Sequence, residues 1–571
     1  MRLNLKISLV CLSVTALFIT LSVWTRCGSD LPNLAYHFQQ AVAEAQEDPN
    51  EHSGVDTQGF EELDCNINGD YTISCRREGD EIYLPFSFLH KYFDVYGKLA
   101  TYDGYERFEW SHSYSKVYNP KSKYEPRSVF LYFENYNVEL RERVKCISAI
   151  NGVPVSTQWE SQGYYYPTQI AQFGLSHYSK NLTEPEPRRK VLEDGSSMTP
   201  DWIVDSNSVI SRSFAPEYNS KVLRYQSDTG IKLMVDTVLD FVLSLDLKLS
   251  AADNSSFIVV LQSREKKQTW NLHYICSQQI IFAKDQDIYY GLGCDQNSSW
   301  LKLTRDLLVD LQKGLSLQNK VKRKISKVKL KVASIILKGS GMLDNLTIAS
   351  SEHMANFYAA AHWFVENQDV ETGGWPNSVR RRGAPGMNDL MPGWLSAMGQ
   401  GHGISVLARA YYHSGGDKQY LNAALRALRP FRIPSKDGGV LASFLGQIPW
   451  YEEYPTQPSS FVLNGFIYSL IGLYDLLTLA PSLQAREATV LFQQGMKSLK
   501  KLLLAFDNGS GTNYDLRHLT LGSAPNIARW DYHATHVNQL LLLATIDKDP
   551  LLSTTAMRWV GYMSGKRAAH N

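Results

Sequence analysis

Near residue 351 the hydrophobic pattern of this chain changes period. Before it, Phe241, Leu243, Leu245, Leu247 and Leu249 alternate with Val242, Ser244, Asp246 and Lys248. Alternation of that kind lays one set of side chains on one face of a strand. Residues 256–262, 270–275, 279–283, 328–337 and 343–348 follow as short runs, spaced as in a sandwich or barrel. Beyond it, residues 353–368, 396–413, 418–430, 458–479, 483–506, 533–546 and 550–564 carry apolar side chains at helical spacing. Gly373-Gly374-Trp375-Pro376 and Gly415-Gly416-Asp417 break the pattern between some of them. Helices in succession without interleaved strands predict a unit of helical hairpins, of which an α/α toroid is one arrangement. A chain of 571 residues holds two or three cores. The expected fold is multidomain α+β: a β-rich N-terminal half (hairpin and β-sandwich or barrel), then a C-terminal α/α toroid.

The predicted divisions are a cytoplasmic tail (1–6), a transmembrane signal anchor (7–24), a lumenal stem (25–78), a β-rich substrate-binding region (79–199), the β-sandwich or barrel (200–350) and the catalytic helical domain (351–571). The anchor rests on an uncharged stretch between Lys6 and Arg26, about as long as the 18 to 20 apolar residues that span a bilayer. Cleavage of that stretch is the alternative; either way the remainder enters the secretory lumen. Sequons at Asn181, Asn254, Asn297, Asn345 and Asn508 agree with this. Cys65 and Cys75 flank a turn-like Asn66-Ile67-Asn68-Gly69-Asp70 and suit a small disulfide loop; the pairing of the other cysteines is not readable. A net charge of +1 argues against a nucleic-acid binder. Residues 320–331 carry seven Lys or Arg, which either steer a polyanion or form a solvated face.

Three polar-aromatic segments adjoin the helices. Trp450-Tyr451-Glu452-Glu453-Tyr454-Pro455 runs into the 458–479 pattern, where Pro458 suits a first helical turn and Asn464 and Tyr468 share a face. Gly509-Ser510-Gly511-Thr512-Asn513-Tyr514-Asp515-Leu516-Arg517-His518 is the second. Asn526-Ile527-Ala528-Arg529-Trp530-Asp531-Tyr532-His533 is the third. Phenols, a carboxylate and arginines suit removal of a proton from a carbon beside a carboxylate. The substrate carboxylate must be neutralised so that the carbanion spreads into it. A base stands on one face of the ring and a proton donor on the other. Earlier in the chain, alternation over residues 138–144 predicts a strand with Arg141 and Arg143 on one side, able to grip sulfate or carboxylate. Each of these groups also has a purely structural reading as core aromatic or solvated face.

The strings Trp450-Tyr-Glu-Glu-Tyr-Pro-Thr, Pro458-Ser-Ser-Phe-Val-Leu-Asn-Gly, Tyr514-Asp-Leu-Arg-His and Ala528-Arg-Trp-Asp-Tyr-His resemble the D-glucuronyl C5-epimerase of heparan sulfate synthesis. So do Arg107-Phe-Glu-Trp-Ser-His-Ser-Tyr-Ser-Lys-Val-Tyr118 and Gln169-Ile-Ala-Gln-Phe-Gly-Leu-Ser-His-Tyr178. The likeness runs from about residue 79 to the last residue. It implies a Golgi membrane enzyme, single-pass type II, that inverts glucuronic to iduronic acid in N-sulfated heparosan or heparan sulfate, and a homodimer. It implies Glu453 and Tyr532 as the acid/base pair, with Tyr454, Tyr514 and Arg517 around the uronate. Tyr136, Arg141, Arg143, Gln158, Tyr166, Gln169, Gln172, Asn464, Tyr468, Arg529 and Trp530 are the implied polymer contacts. No cofactor is implied for catalysis; a structural calcium ion is, with Asp344 matching one ligand. The Arg380-Arg381-Arg382-Gly383-Ala384-Pro385 loop departs from the pattern where an acidic position is expected. A polysaccharide lyase, which starts with the same proton abstraction, and a non-catalytic sulfated-glycan binder are the alternatives. No Gly-x-Gly-x-x-Gly follows an early strand and no His-Glu-x-x-His occurs, so nucleotide-sugar and zinc hydrolase chemistry are disfavoured.

Overall fold

The computed structural model describes residues 60–569, apart from residues 68, 70, 93–94, 113–115, 197–201, 251–253, 295–298 and 319–326. The chain divides into two compact units, one ending at His112 and one starting at Ser113. The first contains a three-stranded antiparallel sheet, Glu61–Ile67, Tyr71–Glu78 and Glu81–Tyr83, stapled by the expected Cys65–Cys75 disulfide. Among its described residues it also has a short helix, Phe86–Tyr92, and the hairpin Val95–Tyr102 with Tyr105–His112.

The second unit is mixed α+β. Its eleven-stranded sheet centres on one 20-residue strand, Leu330–Ala349. The sequence suggests two strands here; the backbone runs through as one and changes partner midway. Its first half pairs with Ser256–Ser263 and its second half with Val242–Leu249. The alternating leucines of Val242–Leu249 all enter the sheet core, with Phe257, Val259, Leu272 and Tyr274. A second disulfide, Cys276–Cys294, lies at the sheet's end, and Cys146 is a buried free thiol.

Helices Ala397–His413, Leu463–Leu479, Trp530–Ile546 and Pro550–Met563 lie close to the periods that predict them. Two elements do not. Pro167–Thr183 is a helix within the region expected to be β-rich, and it packs with His353–Glu366 and Ala397–His413. So the chain lays down part of the helical core, leaves it to build the sheet, and returns. Residues 138–144 form no strand: Val138–Leu140 is a 3-10 turn, and the strand begins at Val144. Seven residues of alternation fit a turn as well as a strand, and of this stretch only Val144 enters a strand, opposite Ser156. The helix expected from residue 458 starts at Leu463, because Phe461 has φ of 57° and its N–H is held by Glu452.

Buried polar groups tie the helical core together. Arg409 donates to Asp475 Oδ2 at 2.6 Å and to the Tyr124 hydroxyl at 2.8 Å, and Tyr124 donates to Asp475 Oδ1 at 2.8 Å. Each of the three charges and dipoles is thereby matched inside the protein.

The membrane expectation is corrected. Among the described residues no helix is long and apolar enough to cross a membrane. The longest of the core helices, such as Leu463–Leu479, have 17 residues, against about 20 for a span. Residues 7–24, on which the anchor rests, lie outside the described residues, and the single-pass Golgi placement is not retained.

Candidate active site

The three polar-aromatic segments converge. Strand Ile448–Tyr451 leads into Glu452 and Glu453, both buried. Glu452 is structural: its carboxylate accepts from Ser460 Oγ at 3.0 Å and from the Phe461 N–H at 3.0 Å, holding the loop before the Leu463–Leu479 helix. Glu453 turns the other way, onto that helix, where Gly465 gives it room. A Cβ at Gly465 would stand 2.3 Å from Glu453 Oε2. That oxygen is buried with no hydrogen-bond partner. Burial pushes the Glu453 carboxyl up to about 7, opposed by the Tyr454 hydroxyl and the charge of Arg381.

Three phenols surround this carboxylate. The Leu463 N–H donates to the Tyr514 carbonyl at 3.1 Å, tying the second segment to the helix start. The rings of Tyr514 and Tyr532 meet edge to face, centroids 4.9 Å apart. The Tyr454 hydroxyl is close enough to Tyr514 to oppose the rise of its hydroxyl. Burial first, and then the Glu453 charge, raise the hydroxyls of Tyr514, Tyr532 and Tyr454 above the usual phenol value. Tyr166, which precedes the Pro167–Thr183 helix, is raised in the same way, by burial and by Glu453. Arg529 lies 5.5 Å over the Tyr532 ring, and it and Arg143 oppose the rise at Tyr532.

A second cluster lies one helical turn along from Tyr166 and Asn464. Arg141 donates to Gln172 Oε1 at 2.6 Å and stacks 5.0 Å over Tyr136. The hydroxyls of Tyr136 and Tyr468 act on one another, and the Tyr468 ring lies 4.4 Å from His402. Burial, with Arg141's charge behind it, holds His402 down to about 3, so it is neutral. Gln169 Oε1 and Asn464 Oδ1 are buried without partners, as Glu453 Oε2 is. Buried polar atoms are normally bonded, and three such atoms on the elements that border both clusters suit a hydroxyl-rich ligand.

Other expected residues sit at the edge. Arg517 lies 3.6 Å from Asp515, and none of the Glu453, Tyr454, Tyr514 and Tyr532 hydroxyls and carboxyls takes it as a leading influence. Arg529, 75% exposed, pairs with Asp531 at 2.9 Å. The Trp530 ring lies 5.5 Å from that of His533, tilted by 30°. The Gln158 N–H donates to Ser156 Oγ at 3.3 Å, with its side chain half-buried. Arg141 and Arg143 do not line one strand face: Arg141 serves the Gln172 cluster and Arg143 the Tyr532 hydroxyl. The residue that sequence reasoning missed is Arg381, whose guanidinium lies 3.5 Å from the Tyr454 ring centroid. Trp159 and Trp394 flank the same ring at 6.4 and 6.0 Å.

Asp344 is far along the central strand, opposite Asp246 on Val242–Leu249. The Asn345 N–H donates to Asp344 Oδ1 at 2.8 Å and its amide to Asp246 Oδ2 at 2.7 Å. A calcium ion takes about six to eight oxygens. Among the described residues no three His, Cys, Asp or Glu side chains gather for a metal ion. Among the described residues that shell is not assembled around Asp344, and no step below runs through a metal.

Comparison with known proteins places the chain. Residues 368–561 match the family described as D-glucuronyl C5-epimerase C-terminus, and residues 219–340 the D-glucuronyl C5-epimerase beta-sandwich domain. The D-glucuronyl C5-epimerase of Caenorhabditis elegans is 40% identical over 563 residues, covering 90% of each chain. An uncharacterized protein of Methanocaldococcus jannaschii is 30% identical over 163 residues, 28% of this chain and 49% of that one. Among solved structures, a Klebsiella oxytoca rhamnosidase is 9% identical, covering 69% of this chain and 71% of that one; its TM-score of 0.19 carries no argument.

Proposed function

The chain belongs to the D-glucuronyl C5-epimerase family and is an epimerase, and we propose that it inverts C5 of D-glucuronic acid to L-iduronic acid within N-sulfated heparosan or heparan sulfate chains. The single observation that carries this is the convergence of a buried Glu453 carboxyl, pushed up to about 7 and with Oε2 unpartnered, with protonated phenols. The roles follow from the proton affinities. Glu453 is substantially ionised near neutrality and takes the C5 proton. The carbanion's electron pair moves into the adjoining sugar carboxylate. Tyr532, held well above the pH of neutral solution, donates a proton from the opposite face. Glu453 ends protonated and Tyr532 ionised; exchange with water resets both. Arg529 and Arg143 stabilise the transient phenolate. Tyr454 and Tyr514 hold the carboxylate end of the ring.

Arg141, Gln172, Tyr136 and Tyr468, with Gln169 and Asn464, hold the flanking sugars. Gln158, Tyr166, Arg517 and Trp530 complete the wall. The helical hairpins form an α/α toroid whose open end is this cleft. The exposed hydrophobic side chains of Tyr105–His112 and its partner strand, Leu99, Tyr105 and Trp110 among them, pair two copies into a homodimer, which sedimentation equilibrium tests. The reaction itself is tested by product analysis after incubation with N-sulfated heparosan. Epimerisation gives iduronate in intact chains. An unsaturated uronate absorbing in the ultraviolet, with shortened chains, would assign a lyase instead.

A further inference from the structure

Residues 380–390 fold back on themselves beside Tyr454. The Arg381 N–H donates to the Leu390 carbonyl at 2.9 Å, and the Leu390 N–H returns to the Arg381 carbonyl at 2.9 Å. Arg380 Nε donates to Asp389 Oδ2 at 2.8 Å, and the Gly383 N–H donates to Asp389 Oδ1 at 2.8 Å. The Asn388 N–H donates to the Gln457 carbonyl at 2.9 Å, which pins the turn to the loop that follows Glu453. Successive side chains of this paired backbone point to opposite sides. Arg380 is therefore spent on Asp389, and Arg381 turns onto the face of Tyr454.

The Arg381 guanidinium is 3.5 Å from the Tyr454 centroid and 5.8 Å from that of Trp159. An arginine stacked on a ring uses its flat face; its five N–H donors lie at the edge and remain available. Among the described residues no carboxylate lies within ion-pair distance of Arg381, whereas Arg380, Arg517 and Arg529 are engaged with Asp389, Asp515 and Asp531. The carboxyl or hydroxyl groups of Glu453, Tyr454, Tyr514 and Tyr166 are all lowered by its charge. So a pinned, stacked, uncommitted guanidinium faces the groups that would work on C5.

We propose that Arg381 receives the carboxylate of the reacting uronate in a bidentate grip. This rests on the uronate reading above, and it gives Arg381 the part that motif resemblance gives Arg517. A planar fork held flat by Tyr454 fixes the plane of the carboxylate. Charge that arrives on the carboxylate when C5 loses its proton is then met by a cation already in place.

The test compares equilibrium binding of N-sulfated heparosan with binding of the same polymer after its carboxyl groups are reduced to alcohols. Wild-type protein is expected to prefer the native polymer by about tenfold or more, since charge-assisted hydrogen bonds contribute about 1.5–3 kcal/mol. Arg381→Ala is expected to bind both polymers alike, and Arg517→Ala to keep the preference. Arg381→Lys keeps the charge and loses the fork, so it recovers only part. Exchange at C5 in heavy water should fall about a hundredfold in Arg381→Ala, as for loss of one donor to a developing anion. A melting temperature for Arg381→Lys equal to the wild type ties the lost preference to the contact and not to folding. Arg381→Ala retaining the preference, or Arg517→Ala losing it, overturns the proposal. A wild-type protein that prefers the native polymer but exchanges no hydrogen at C5 overturns the epimerase chemistry and leaves the Arg381 contact standing.

Discussion

At the scale of residues, the site depends on where one proton sits. Burial lifts Glu453 to about 7, and the phenols around it stay protonated. If Glu453 is the base, kcat/KM rises with pH through about 7 and levels off above it, because the ionised form acts. A rate that falls through that range would make Glu453 the donor and reverse the assignment. Gly465 is a second point of control. A methyl there would stand 2.3 Å from Glu453 Oε2 and 2.5 Å from its Cβ. Gly465→Ala should cut turnover at least about a hundredfold through misplacement of the carboxylate, with about 1–3 kcal/mol lost in stability. Kinetics beside chemical denaturation check it; turnover near the wild type would show that the carboxylate moves without cost. That the segments carrying Glu453, Tyr454, Tyr514 and Tyr532 lie together was legible in the sequence, because acidic and aromatic side chains crowd unusually before helices. Arg381 was not. Three adjacent arginines look alike until pairing with Leu390 sends the middle one inward.

At the scale of elements, the start of Leu463–Leu479 is set by Glu452. Its carboxyl is held up to about 8 from 4.5 by burial, against the pull of its bonds from Phe461 and Ser460. A carboxyl raised by folding binds a proton that the unfolded chain has released. Stability therefore falls as pH rises from 4.5 to about 8. Glu452→Gln keeps an acceptor for the Phe461 N–H and removes this titration. Urea unfolding across that range should show a shallower decline for the variant, Glu453 supplying the rest. Equal slopes would mean that Glu452 is ionised in the folded protein. Helical periods were legible to within a few residues where an apolar stripe met the core. Pro167–Thr183 was hidden because polar side chains, Gln169, Ser176, His177 and Lys180 among them, are buried with the apolar ones, so no apolar stripe marks its period. The 138–144 stretch misled for the opposite reason: its alternation has no sheet behind it.

At the scale of the whole molecule, the site gathers groups from far apart in the chain. Tyr166 comes before the sheet, Arg381 and Glu453 after it, and Tyr514 and Tyr532 near the end. The order of these segments was legible, but that Tyr124, Phe130, Phe133 and the Pro167–Thr183 helix belong to the helical core was not, since 169 residues, with the large sheet among them, intervene between Thr183 and His353. A polyanion laid across such a site is gripped partly by charge. Arg141→Ala with Arg143→Ala should weaken polymer binding by about 1.5–3 kcal/mol per arginine at low salt, with the loss shrinking as salt rises. Titrations at several ionic strengths check this, and a loss that ignores salt would deny the pair a charge role. The central claim, a two-sided proton exchange at one carbon, is measured most directly by deuterium. Wild-type protein and Tyr532→Phe are incubated with N-sulfated heparosan in heavy water, and C5 is read by NMR. Deuterium is expected at C5 of iduronate in intact wild-type chains, and no deuterated iduronate is expected with Tyr532→Phe, which still binds the polymer. Deuterated iduronate at wild-type levels in the variant would remove Tyr532 from the second face.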